Sequence, residues 1–157
     1  MPKYFSFCAK NITPLSQNNR SSMLINNLGN ALMRAYGMCS KSSRFTLPRT
    51  PSSWLTGDLC VKAFYIHKVR DYKDADNISK PLWDALNTRV YKDDRQIRYL
   101  ETLKVNVASV GSCEFDISDI DDEDLNDLTD FLFNPTSTVN RLLYIEVADL
   151  DLKKVRL

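Results

Sequence analysis

The hydrophobic positions of this chain follow two periods, one typical of strands and one typical of helices. Apolar residues recur at spacings of three and four over residues 24–35, which predicts a helix that ends near Gly37. Residues 59–68 alternate with both faces largely apolar, as in a buried strand, and apolar side chains recur at even separations over residues 97–107. Two shorter apolar runs predict a first and a last strand, at residues 4–8 and 142–147.

The segment between the two long strands predicts a second helix. Three apolar residues have helical spacing over residues 77–87, and either Asp76 or Asn77 suits the N-cap position. With this start, Pro81 lies close to the first turn, where proline is tolerated. We therefore expect a strand, a helix and a second strand in succession.

Net charge is +1 for the whole chain, but the two parts of the chain differ in sign. Residues 1–110 hold 17 Lys and Arg against 8 Asp and Glu, whereas residues 111–157 hold 4 against 12. A basic body is typical of a phosphate-binding surface, although ordinary solvated charge explains the counts equally well. Nine acids fall within residues 114–130, where apolar spacing also predicts a third, acidic helix.

With 157 residues, the chain is long enough to form one domain without disulfides or structural zinc. Its cysteines lack the paired spacing of a zinc site, so free thiols in a reducing cytosol are favoured over disulfides. They are Cys8, Cys39, Cys60 and Cys113. Neither a secretory start nor an apolar run of membrane-spanning length is present, so we expect a cytoplasmic protein.

Acidic residues on both sides of the second predicted helix are the strongest functional signal. Asp74 and Asp76 stand two apart, so in an extended segment their side chains point the same way. A helix that connects two paired strands brings the chain back to the same sheet. Asp94, at the start of the second strand, is therefore expected near Asp74 and Asp76. Carboxylates without histidine or thiolate suit Mg²⁺ or Mn²⁺ better than zinc. Such an ion activates water for phosphodiester hydrolysis.

Lys80 supplies positive charge within this acidic segment. It lies four residues after Asp76, a spacing at which helical side chains face one another or share a cleft. It would stabilise the transition state or assist protonation of the leaving oxygen, and both roles remain open. Asp84 is expected to pair with Lys80 rather than bind metal. Asp93 is either a supporting group or a solvent-facing acid.

These residues resemble the motif of the RusA family of Holliday junction resolvases. That motif contains Asp-x-Asp-Asn, a following lysine, an Asp-Ala-Leu helix and an x-Asp-Asp-x-Gln turn. The matching residues are Asp74, Asp76, Asn77, Lys80, Trp83, Asp84, Ala85, Leu86, Tyr91, Asp93, Asp94, Gln96 and Ile97. A weaker similarity covers residues 14–18, where Leu15 replaces the second proline of the family's Pro-Pro-Ser-x-Asn loop.

The resemblance implies a compact single α/β (α+β) domain of residues 1–157, with a mixed sheet, flanking helices and a homodimeric assembly. It also implies metal-binding catalytic roles for Asp74, Asp76 and Asp94, a catalytic role for Lys80 and a supporting role for Asn77. The implied activity is Mg²⁺-dependent cleavage of four-way junctions in recombination and repair, in a bacterial or phage-infected cell. A noncatalytic branched-DNA-binding protein with the same fold is the alternative.

Two further predictions concern DNA and partners. Plausible DNA contacts are Asn18, Lys68, Arg70 and Lys73, each of which could equally be packing or solvated charge. Residues 112–138 are interpreted as an acidic insertion. They either form a helix docked on the body, which we favour, or an element that binds a protein partner or shields the DNA surface.

Overall fold

The computed structural model describes residues 3–19, 21–110, 112, 114 and 116–151. Four strands and three α-helices lie within these residues, so the predicted α+β class is confirmed. In chain order they are β1 (Lys3–Lys10), α1 (Ser22–Gly37), β2 (Leu59–His67), α2 (Ala75–Leu86), β3 (Ile97–Asn106), α3 (Asp122–Phe133) and β4 (Arg141–Asp149). Cys8, Cys39 and Cys60 are free thiols, whereas Cys113 lies outside the described residues.

The strands form one mixed sheet in the order β1-β4-β2-β3. β4 runs antiparallel to both β1 and β2, whereas β3 runs parallel to β2. A parallel pair needs a crossover connection, and α2 supplies it. The predicted strand-helix-strand unit is therefore present, and its loops lead into and out of α2 beside the paired strands.

The two faces of the sheet bury different helices. Val61 and Ala63 point into the larger core, which lies beneath α1 and α2. Phe64 and Ile66 alternate with them along β2 and face the smaller core, which Leu128 and Phe131 of α3 complete. α3, from the acidic segment, is thus docked on one face of the sheet, while α2 lies on the other face. That residues 112–138 are an insertion stays a prediction. No helix among the described ranges is long and apolar enough to cross a membrane.

α1 and α2 approach each other closely at Gly29. A Cβ atom added there would lie 2.7 Å from the Ala85 carbonyl oxygen and 2.5 Å from Cζ of Arg89. The Arg89 guanidinium instead occupies that space, where it donates hydrogen bonds to the Ala85 carbonyl and to the Asn26 side chain. The absent side chain at Gly29 therefore allows a basic side chain to join the two helices.

The start of α2 differs from the sequence prediction. The helix begins at Ala75, with Asp74 as its extended N-cap residue, so Asp76 lies in the first helical turn. The prediction that Asp74 and Asp76 share one side of an extended segment is therefore wrong. A carboxylate in the first turn is favoured by the helix dipole, which is one reason for the earlier start. Pro81 consequently lies inside the helix rather than close to its first turn.

An ion-pair cluster centred on the buried Lys41 and Asp124 side chains attaches α3 to the sheet. Nζ of Lys41 lies 2.6 Å from a carboxylate oxygen of Asp121 and 2.6 Å from one of Asp124, and Ser6 donates a further hydrogen bond to Asp124. Burial raises the pKa of the Asp124 carboxyl despite these contacts. The Lys41 ammonium is therefore committed to α3, because a buried charge requires a partner.

Candidate active site

An open cavity of about 520 Å³ lies between α2 and β3. Asp76 and Lys80 line it from α2, and Asp94 lines it from the turn before β3. Its other walls include apolar and polar side chains of both elements, namely Ser79, Trp83, Ile97, Arg98, Leu100 and Thr102, together with Ala75. The strand-helix-strand unit therefore brings three of the four predicted catalytic residues to one cavity.

Lys80 bridges two aspartates at the edge of this cavity. Its Nζ lies 2.8 Å from Oδ1 of Asp84 and 2.5 Å from Oδ2 of Asp94. The expected pairing of Lys80 with Asp84 is present. Hydrogen bonds to Asp84 and Asp94 raise the pKa of Lys80, and the hydrogen bond from Lys80 lowers the pKa of Asp94. Both groups are therefore charged at neutral pH.

A capped turn fixes the position of Asp94. Residues Asp94–Gln96 form a 3₁₀ turn whose N-cap is Asp93, which accepts a hydrogen bond from the Arg95 backbone N–H. The Gln96 side chain accepts from the Asp93 backbone N–H and donates to the Leu55 carbonyl. Asp93 therefore has a local structural role in holding the turn. A direct role in the site for Asp93 stays a prediction.

The carboxylates of the motif are not gathered into a closed metal centre. Asp76 and Asp94 line the cavity, whereas Asp74 is not among its lining residues. Across the described part of the chain, no group of three or more His, Cys, Asp or Glu side chains is placed to hold a metal ion. Asp74 makes no side-chain cap bond to the helix, and Oδ1 of Asp76 accepts the Asn77 backbone N–H.

The donor chemistry nevertheless fits a hard divalent cation. Mg²⁺ in proteins keeps several water ligands and is bound through one or two carboxylates plus substrate phosphates. Asp76 and Asp94 supply two carboxylates at one solvent-accessible cavity, without a competing histidine or thiolate among its lining residues. The residues present thus fit Mg²⁺ in type and number. The metal-binding roles of Asp74, Asp76 and Asp94 stay predictions.

The loop before α2 contains an anchoring residue that the motif does not include. The Asp71 carboxylate accepts hydrogen bonds from the Tyr65 hydroxyl at 2.9 Å and from the backbone N–H of Lys73 at 3.0 Å. It also pairs with the Lys73 ammonium, and Nζ of Lys104 donates to the Asp71 backbone carbonyl. Burial alone would raise the pKa of Asp71, but the hydrogen bonds from Lys73 and Tyr65 lower it.

Asp71 gave little signal in the sequence because it stands alone among basic residues and matches no spacing rule. The only signal is the polar ends of Tyr65 and Lys104, which are paired on β2 and β3 and require polar partners where they are buried. Asp71 ties the loop at residues 71–73 to β2, and these residues lead directly into the start of α2.

The four predicted DNA contacts lie in different environments. Asn18 is exposed within the 3₁₀ turn Gln17–Asn19, which packs next to α2. Lys68 places its ammonium 4.6 Å from the centre of the Phe131 ring, and Lys73 pairs with Asp71. Arg70 is exposed and stacks on Tyr72. All three predicted basic contacts therefore already have intramolecular partners, and all four assignments stay predictions.

The fold and cavity together define an α+β protein with an acidic, lysine-containing site of the kind used in phosphoester chemistry. Residues 45–113 match the family model described as Endodeoxyribonuclease RusA. This segment contains β2, α2, β3 and every cavity residue. The match confirms the resemblance to the RusA family and supports a nuclease. No curated protein matches the chain.

Proposed function

We propose that this protein is a Mg²⁺-dependent endonuclease that resolves Holliday junctions or related branched DNA by phosphodiester hydrolysis. The observation that supports this most strongly is the cavity that Asp76, Lys80 and Asp94 line together. The cavity is open to solvent, carries both signs of charge, and lies within the segment that matches the nuclease family. Metal-assisted cleavage of a phosphate backbone uses a cation held by acidic ligands at the point of cleavage.

Asp76 and Asp94 would hold the metal, with Asp74 as the third predicted ligand at the entrance to α2. Bound Mg²⁺, or Mn²⁺ in its place, lowers the pKa of a coordinated water and neutralises charge on the scissile phosphate. The family's dependence on divalent metal and the oxygen-only donor set support this assignment.

Asp84 and Lys80 act together in this proposal. Asp94 accepts a hydrogen bond from Lys80 through Oδ2, so the same carboxylate would be shared between the ammonium and the cation. Oδ1 of Asp84, 2.8 Å from Nζ of Lys80, would hold the ammonium in place if Asp94 turned towards the cation. The lysine then stays at the cavity and donates to the phosphate or to the leaving oxygen, where fixed positive charge stabilises the transition state.

A homodimer follows from the symmetry of the substrate. A four-way junction has approximate two-fold symmetry, so two related sites in a C₂ dimer cut two related strands. We further propose that the protein acts in recombination and repair in the cytoplasm of a bacterial or phage-infected cell.

The test uses purified full-length protein with labelled four-way junction and linear duplex, in Mg²⁺ or in EDTA. We expect cleavage of the junction in Mg²⁺, none in EDTA, and none by Asp76→Asn. Exposed Asp130, on α3 across the sheet, provides the control variant Asp130→Asn, which is expected to cleave normally. Analytical ultracentrifugation of the same samples tests the dimer.

Two results would contradict the proposal in different ways. Tight junction binding without cutting in either Mg²⁺ or Mn²⁺ would identify a noncatalytic junction-binding protein. Equal cleavage of junction and duplex would leave the nuclease but remove the branched substrate.

A further inference from the structure

The loop between β2 and α2 has two different sides. One side is held by hydrogen bonds to buried groups, and the other is exposed to solvent. Asp71 is buried and holds the loop through Tyr65 and Lys73, as described above. Lys104 adds hydrogen bonds to two backbone carbonyls of the loop, those of Asp71 and Lys73. Alternate residues therefore turn inward, and those between them, Arg70 and Tyr72, turn outward on a fixed backbone.

The Tyr72 side chain on this loop is exposed to solvent, and 77% of the residue's surface area is accessible. The guanidinium carbon of Arg70 lies 5.0 Å from the centre of its ring, which is cation–π contact distance. One side of the ring is thus occupied by a cation. A solvent-facing aromatic ring with a fixed orientation presents its remaining surface at little further entropic cost.

The place of Tyr72 in the chain puts it next to the proposed reaction site. It lies two residues before Asp74, so about 7 Å of extended chain separates the two positions. Lys68, Arg70 and Lys73 surround it in sequence, with Asp71 as the one acid of the segment. This local excess of positive charge matches a nucleic acid better than an apolar protein surface.

We infer that Tyr72, supported by Arg70, stacks on the exposed face of a base at the branch point of the bound DNA. This inference rests on the proposed function and adds the group that recognises branched substrates. Bases in a linear duplex stack on each other and present only their edges, whereas bases at a branch point expose a π-face. Aromatic side chains bind such exposed bases in a sequence-tolerant way. Tyr72 therefore selects for branched structure rather than for sequence.

The experiment places the fluorescent base 2-aminopurine at the branch point of a four-way junction and measures binding by full-length protein in EDTA. We expect the base to be quenched in the wild-type complex and Tyr72→Phe to behave in the same way. Tyr72→Leu keeps apolar bulk but removes the aromatic ring. At saturating protein, the 2-aminopurine fluorescence should be higher in the Tyr72→Leu complex than in the wild-type complex. Junction affinity should fall by roughly 5- to 150-fold, the range for loss of one base-stacking contact. Its affinity for linear duplex should remain that of wild type.

Phe133 offers a matched control, because it is also 77% exposed but lies at the end of α3. Phe133→Leu should change neither the fluorescence nor the affinity. If Tyr72→Leu binds the junction like wild type with the same quenching, the inference is wrong while the proposed function stands. Equal weakening for junction and duplex with unchanged quenching would also overturn it, since Tyr72 would then be a backbone contact. If wild type does not prefer the junction to duplex, junction selectivity fails and this inference fails with it.

Discussion

Within the residues that the structure describes, the same three groups, one lysine between two aspartates, occur twice with different surroundings. Lys80 lies between Asp84 and Asp94 at the open cavity, and its side chain is 43% exposed. Lys41 lies between Asp121 and Asp124 under α3, and its side chain is 10% exposed. The ion-pair distances are similar, from 2.5 to 2.8 Å. Burial is therefore what distinguishes a cluster open to substrate from one committed to the fold.

The difference has a physical cause. Ion pairs with partial access to water contribute little to stability, because solvent screens them and either partner can be solvated alone. A buried pair contributes little net energy too, but loss of one partner leaves an uncompensated charge. The Lys80 cluster can therefore exchange partners during a reaction, whereas the Lys41 cluster cannot open without loss of structure.

The largest expected effect is on catalysis, through Lys80→Met. We expect junction cleavage to fall by about 10²- to 10⁴-fold, the usual contribution of a positioned proton donor or cation. The free energy of unfolding should change by less than about 1 kcal/mol, because the ion pairs of Lys80 with Asp84 and Asp94 are partly exposed. Single-turnover cleavage and thermal unfolding of the same sample measure both. A large loss of stability would mean that Lys80 is structural and the comparison fails.

The second expected effect is on stability, through Lys41→Met. Removal of this ammonium leaves Asp124 buried without its cation, which costs about 3–5 kcal/mol. Cleavage per folded molecule should be unchanged, because Lys41 lies beneath α3 and away from the cavity. Urea unfolding at low temperature gives the stability, and cleavage is normalised to the folded fraction. Asp124→Asn, which leaves Lys41 with Asp121, should destabilise less.

The third prediction concerns Asp71, the buried acid of the site loop. Its pKa lies below the ordinary value of 3.8, so its stabilising contribution is complete above pH 3.8 and is lost as pH falls through the folded-state value. Asp71→Asn should lose about 1.5–3 kcal/mol at neutral pH, the range for hydrogen bonds to a charged group. Urea unfolding measured across pH gives the free energies of unfolding of wild type and variant. The difference between these two free energies should narrow below pH 3.8. A gap that is constant with pH would exclude an ionised Asp71.

Sequence periodicity predicted the strands and helices of this protein because their buried faces repeat regularly. The start of α2 was misjudged because Asp74, Asp76 and Asn77 all suit a helix N-terminus, so local preference alone did not choose among them. The motif named Asp76, Lys80 and Asp94, which the fold brings to one cavity. It did not indicate that Lys41 is buried, since a lysine in a polar loop has no periodic pattern and its partners lie 80 and 83 residues away.

The fourth prediction tests the packing under the site through Gly29→Ala. The new methyl group would meet Cζ of Arg89 at 2.5 Å and the Ala85 carbonyl at 2.7 Å, which forces the helices to shift. We expect a loss of about 1–3 kcal/mol, as for other overpacked positions. Gly37→Ala is the control, because an added Cβ there has no neighbour within 4 Å and the variant should be as stable as wild type or slightly more so. If Gly29→Ala were equally harmless, the close helix contact would not be required.

The smallest expected effect concerns the exposed acids of α3, and it decides whether the helix is only docked or also shields the DNA surface. Asp122 and Asp130 face solvent on α3, across the sheet from the cavity. Charges that are separated by more than a Debye length of about 8 Å at physiological salt are largely screened. The double variant Asp122→Asn/Asp130→Asn should therefore change junction affinity by less than about twofold at that salt concentration, as measured by fluorescence anisotropy. A several-fold gain in affinity, growing as salt is lowered, would mean that the acidic helix competes with DNA for the basic body, and then both faces of the sheet would take part in substrate binding.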